Sequence, residues 1–108
     1  MEKSLENKIC ELYKTNKKLP SNLIDVILNP QKLTLKEKRI LSIHEIIDAS
    51  SDMQVDFITL KIIPFIDCYD NDYICYDFQS EGYLIFNTVD EVRFKHSKDL
   101  NYLLNYKN

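Results

Sequence analysis

Glycine is nearly missing from this chain of 108 residues: there is one, Gly82, beside three prolines, three cysteines and no tryptophan. So little glycine excludes collagen-like and glycine-rich low-complexity chains and leaves no Gly-rich loop to cradle a phosphate. No apolar run approaches the roughly 18 residues that span a bilayer, so no membrane segment is expected. The opening residues Met1-Glu2-Lys3-Ser4-Leu5-Glu6 are charged and lack an apolar signal-peptide core, so export by that route is not expected and a cytoplasmic protein is. Cys10, Cys68 and Cys75 cannot all pair within one chain, which fits a reducing compartment where thiols act as small buried hydrophobes. Cys68 and Cys75 are separated by six residues, and neither a Cys-x-x-Cys nor a His-x-x-x-His occurs, so no metal or other cofactor is expected.

What is present points to a folded body. Hydrophobic residues make up 44% of the chain, too many for a disordered tail. The length suits one domain spanning 1–108. Charge is divided unevenly. Residues 1–40 hold nine basic groups against five acids, net +4, and residues 41–108 hold five against twelve, net −7. From Asp67 to Glu91 there are seven acids (Asp67, Asp70, Asp72, Asp77, Glu81, Asp90, Glu91) and no Lys or Arg. Such a field repels nucleic acid and attracts a basic partner, or it is simply a solvated rim that keeps the protein dispersed.

No internal repeat or linker is apparent. Leu5, Ile9, Leu12 and Tyr13 form one stripe of an amphipathic helix that Asn16-Lys17-Lys18 ends. Leu19-Pro20 resets the chain, and Ser21 is expected to cap a short helix carrying Leu23, Ile24, Ile27 and Leu28 that stops at Asn29-Pro30. Thr34-Leu35-Lys36-Glu37 and Ser42-Ile43-His44-Glu45 both fit a capping box. Either one helix runs from Leu35, or Lys38–Leu41 is a short strand with a helical turn after Ser42. Asp48–Asp52 reads as a turn or loop. From Phe57 the chain is rich in β-branched and aromatic residues, and four strands are expected: Phe57–Ile66, Tyr73–Phe78, Tyr83–Asn87 and Val92–Lys95. Pro64 suggests an edge or strand end, and Gly82 is the residue expected to take positive φ. Short turns between these strands make an antiparallel meander, and Ser97 is expected to cap a closing helix with Leu100, Leu103 and Leu104 on one side. The class is α+β, helices packed against one antiparallel sheet.

The order of these pieces resembles the SUKH superfamily, the SMI1/KNR4-like domain. The resemblance rests on Leu19-Pro20 before a short apolar helix, Ser-Ile-x-Glu-Ile at Ser42–Ile46, Ile-Pro-Phe at Ile63–Phe65 and an acidic turn. It continues through Tyr-Ile-Cys-Tyr-Asp-Phe at Tyr73–Phe78, Gly-Tyr-Leu-Ile-Phe at Gly82–Phe86 and the Leu-rich helix after Ser97. Where the family usually has glycine in the turn before Tyr73, this chain has Asn71, a residue that tolerates the left-handed backbone. The late aromatic-Trp pair of the family is replaced by Phe86-Asn87. The resemblance implies a binding module without a shared catalytic motif, and bacterial members are often cytoplasmic immunity proteins that neutralise a cognate toxin, commonly a nuclease. A nuclease cleft is basic, so an acidic inhibitor is complementary to it.

A partner surface is therefore expected on the acidic turns: Asp67, Tyr69, Asp70, Asp72 and Tyr73 around the first, Glu81 in the second, Asp90 and Glu91 in the third. Tyr69 and Tyr73 are its aromatic anchors. In a meander the first and third turns fall at the same end of the sheet. Three other readings are open. The basic groups Lys14, Lys17, Lys18, Lys32, Lys36, Lys38 and Arg39 could line one nucleic-acid-binding face, though without interleaved aromatics. The chain could serve as an intracellular scaffold, or pair its sheet edges in a homodimer. No Ser or Cys nucleophile stands at a recognisable spacing from His44 or His96, so no catalytic residue is expected.

Overall fold

The structure, a computed structural model, describes residues 2–32, 35 and 37–105. Helices α1 (Glu2–Leu12) and α2 (Ser21–Leu28) and a 3-10 turn over Pro30–Lys32 lead to strand β1 (Arg39–Ile40). Then follow α3 (Ile43–Met53), the single turn α4 (Phe57–Leu60), strands β2 (Ile62–Asp67), β3 (Asp72–Asp77), β4 (Gly82–Asn87) and β5 (Val92–Ser97), and α5 (Leu100–Leu104). The strands form one antiparallel sheet in the order β1-β2-β3-β4-β5. This is the expected α+β meander with one more strand, since Arg39–Ile40 pairs with Asp67 and Ile66.

Strand alternation builds two cores. Ile63, Ile74, Tyr76, Tyr83 and Ile85 belong to a buried cluster with Leu5 and Ile9 of α1, Leu23 and Ile27 of α2, and Leu100 and Leu103 of α5. Their chain neighbours Ile62, Cys75 and Leu84, with Phe86, point the other way and pack with Ala49 of α3 and Phe57 of α4. The rings of Phe57 and Phe86 meet edge to face at 5.7 Å. Both faces of the central strands are covered, which is why β2, β3 and β4 read as almost unbroken apolar runs. Full burial contributes about 1.5–3 kcal/mol for each large apolar side chain, so the middle of the sheet supplies much of the stability.

Several local expectations change. The residues expected to turn at Asp48–Asp52 are inside α3, because a full capping box at Ser42 and Glu45 starts the helix and Ile46 and Ala49 bury its inner face. The Ser50 hydroxyl accepts from Phe57 N–H (3.2 Å), so a serine that looks like loop is held in a helix by a tertiary bond. Thr34 and Lys36, in the alternative capping box, lie outside the described residues. Phe57–Leu60 is helical, not strand: the Asp56 carboxylate accepts from Thr59 N–H (3.1 Å) and from the Thr59 hydroxyl (2.7 Å), and Lys61 at φ 60 ends the turn. Neither serine caps as expected. Pro20 is the N-cap of α2 and offers no side-chain acceptor, while Asp99 caps α5 by accepting from Asn101 N–H (3.0 Å). Pro64 sits within β2 beside a bulge, where β1 leaves the outer edge of the strand uncovered and no ladder donor is missed.

The strands do repeat. β2 to β5 begin ten residues apart, at Ile62, Asp72, Gly82 and Val92, and end at Asp67, Asp77, Asn87 and Ser97. Each of those last residues accepts, through a side-chain oxygen, the backbone N–H two positions on: Tyr69 to Asp67 (2.8 Å), Gln79 to Asp77 (3.0 Å), Val89 to Asn87 (3.0 Å) and Asp99 to Ser97 (3.0 Å). This local bond reverses the chain in place of glycine. The three hairpins close on left-handed residues, Asn71 (φ 69), Glu81 (φ 57) and Glu91 (φ 54). Gly82 does not take positive φ as expected; Glu81 does. What Gly82 provides is room, since a Cβ there would lie 3.1 Å from Ser97 O and 3.2 Å from Lys98 Cδ.

Candidate functional site

The turns after β2 and β4 stand side by side, because antiparallel register pairs Asp72 with Asn87. Asn71 O accepts from Thr88 N–H (2.9 Å) and from the Thr88 hydroxyl (3.3 Å). The Asn87 amide donates to Asp72 Oδ1 (2.9 Å), while its oxygen accepts from Val89 and Asp90 N–H (3.0 and 2.8 Å). Asn87 thus shapes its own turn and ties it to the neighbouring one. In the first turn Cys68 N–H donates to Asp72 O (2.9 Å) and Asp72 N–H to Tyr69 O (3.0 Å). Tyr69, Asp70 and Asn71 are all left-handed, at φ 65, 52 and 69. Asn and Asp tolerate that region better than Tyr does, and a non-glycine residue held there costs on the order of 1 kcal/mol.

The surface outlined from the sequence is partly assembled here. Tyr69, Asp70, Asp90 and Glu91 are exposed and share this end. Asp67 is partly covered and lies 3.8 Å from the Arg39 guanidinium. Asp72 is buried, and its carboxylate accepts from the Asn87 amide. Tyr73 is half-buried within β3; burial, with Asp67 nearby, pushes its phenol up. Glu81 is at the opposite end of the sheet, in the β3–β4 turn. Two residues that sequence reasoning passed over belong to the surface: Val89 and Val92 are 69% and 49% exposed, against 48% for Tyr69. Three of the four exposed large apolar side chains among the described residues therefore lie beside Asp70, Asp90 and Glu91. For Val89, an apolar residue placed in a polar turn was the available signal.

Arg39 marks the limit of the acidic field. It makes a two-pronged pair with Glu45 (2.8 and 2.9 Å) at the start of α3. That pair and the Ser42 backbone hold the Glu45 carboxyl at about 2. Of the basic residues considered for nucleic acid, Arg39 neighbours Asp67, whereas Lys14 and Lys17 neighbour Lys61 and Phe78 at the other end of the β2–β3 hairpin. Lys36 and the Lys32 side chain lie outside the described residues. Cys68 and Cys75 are buried and free; burial pushes the Cys68 thiol up to about 11 and the Cys75 thiol up as well. His44 and His96 are exposed, and among the described residues no cluster of His, Cys, Asp or Glu could hold a metal ion. No helix among them is long and apolar enough to cross a membrane. Compared with protein-family models, curated proteins and solved structures, the chain finds no match.

Proposed function

We propose that the chain is a binding module that captures a basic protein partner on the paired-turn end of its sheet, acting as an immunity protein against a cognate toxin of nuclease type. The observation that carries this reading is the joining of two acidic turns through Asn87, Thr88 and Asn71, with Tyr69, Val89 and Val92 exposed among Asp70, Asp90 and Glu91. Carboxylates supply long-range attraction and orientation; the apolar side chains supply contact area once the partner has docked. Rapid capture suits an inhibitor that must engage its target before the target turns over. The turn backbone is fixed before binding, so little ordering entropy is lost on association.

The test is co-expression with the small C-terminal domain of a large secreted protein encoded immediately upstream. The chain should restore growth against that domain and leave unrelated toxins active. Reversing charge at Asp70 and Glu91 to lysine should slow association about tenfold at low salt and flatten its salt dependence. Failure to rescue overturns the immunity reading, and unchanged association kinetics removes this end from the interface.

A further inference from the structure

At the opposite end of the β2–β3 hairpin a cleft of about 200 Å³ opens between the end of α1, the end of α4 and the start of the β3–β4 turn. Its lining is apolar at Tyr13, Phe78 and Ile58, with the Tyr13 and Phe78 rings 5.3 Å apart and tilted 46° to each other. These rings are fixed: the Tyr13 hydroxyl donates to Ile62 O (2.7 Å), and Phe78 is 5% exposed. Lys14, Lys17 and Lys61 line the walls, and no acidic residue does. Lys17 Nζ is held over the cleft by Phe78 O (3.4 Å), while the Lys14 and Lys61 side chains have no hydrogen bond or ion pair among the described residues. Both of those lysines occupy left-handed positions, φ 53 and φ 60, where glycine or asparagine is the usual choice after a helix.

Three lysines lining one small hollow, in a chain of net charge −3, form a local concentration of positive charge. Lysine meets phosphate as a point charge, and the half-buried Tyr13 ring offers one apolar face against which another ring can lie. The volume is below the roughly 300–1,000 Å³ of drug-sized pockets, which limits the occupant to a small molecule or to the end of a larger one. We propose that this cleft binds a phosphomonoester carrying a flat ring, a mononucleotide in chemical class, with the phosphate among Lys14, Lys17 and Lys61 and the ring against Tyr13. The site is independent of whatever occupies the acidic end.

The test is an NMR titration of the isotope-labelled full chain with adenosine monophosphate, inorganic phosphate and adenosine separately. Adenosine monophosphate at millimolar concentration should give saturable shifts at Lys14, Lys17, Lys61 and Gln79, and each of the other two should bind several-fold more weakly. Lys14→Gln and Lys61→Gln should each weaken adenosine monophosphate about fivefold, the loss of one exposed charge contact. A 5′-phosphorylated oligonucleotide that binds as well as the free nucleotide would place a strand end in the cleft; binding of the free nucleotide alone would place a metabolite there, and either supports the proposal. No saturable shift, or shifts produced only by an acidic peptide, overturns it. So does a Lys→Gln pair that lowers the melting midpoint and leaves binding intact, since the lysines would then serve only the helix ends.

Discussion

At one end of the meander the turns after β2 and β4 carry Asp70, Asp90 and Glu91 around Tyr69, Val89 and Val92. At the other end the start of β2 and the turn after β3 lie beside Lys14, Lys17 and Lys61. The hairpins at both ends are made alike: a strand closes on an Asx residue that accepts the N–H two positions later, and the turn finishes on a left-handed residue. The difference is in what those turns touch. The two acidic turns brace each other through Asn87, while the β3–β4 turn meets the segments that follow β5 and α1, with Lys98 donating to Ser80 O and Lys17 to Phe78 O. A repeated scaffold can therefore carry opposite surface chemistry at its two ends, because much of its stability comes from the strands between them.

The largest break in this comparison should come from Asn87→Ala. It removes three hydrogen bonds and leaves the buried Asp72 carboxylate without its amide donor, a loss of about 2 kcal/mol in denaturant unfolding. Amide shifts should move across 67–72 and 87–91 and leave Lys14, Lys17 and Lys61 in place. Gly82→Ala attacks the other end. Its Cβ would press on Ser97 O at 3.1 Å, and the expected cost is about 1–2 kcal/mol with shifts confined to 78–82 and 97–98. Asp70→Gly sharpens the contrast in the opposite direction: releasing a residue at φ 52 should stabilise the fold by about 0.5–1 kcal/mol while weakening partner binding.

The smallest effect concerns the border of the acidic end. Glu45 is held at about 2, below its ordinary 4.5, first by Arg39. A depressed carboxyl pKa adds stability that is full above the ordinary value and is lost as pH falls through the folded one, here between about 4.5 and about 2. Both side chains are substantially exposed, 48% and 40%, so the contribution is a few tenths of a kcal/mol. Glu45→Gln retains a capping-box residue and should flatten the acid limb of a thermal melt series over that interval.

Much of the fold is legible in the residues. The stripe Leu5–Ile9 buries as its spacing dictates, the Ser42–Glu45 capping box forms, and the three later hairpins fall where Asp, Asn and Ser punctuate apolar runs. The ten-residue period at Asp67, Asp77, Asn87 and Ser97 was also written there, but in residue class and not in identity, so it does not look like a repeat. Phe57–Leu60 misleads because a β-branched run is helical only when Asp56 caps it and Lys61 accepts a left-handed end. The candidate surface was legible in charge but not in membership: nothing local separates exposed Asp70 from buried Asp72.

The sequence alone determined the alternation of helices and strands, the positions of the reversals and the sign of charge along the chain, because periodicity, caps and Asx turns act within a few residues. Only the tertiary structure decided that Asn71 would meet Thr88, that Asp67 would face Arg39, and that Lys14, Lys17 and Lys61 would enclose one cleft. Those meetings depend on strand register and on how α1 and α4 lie against the sheet, and register is set by the burial of both sheet faces together, which no single segment carries.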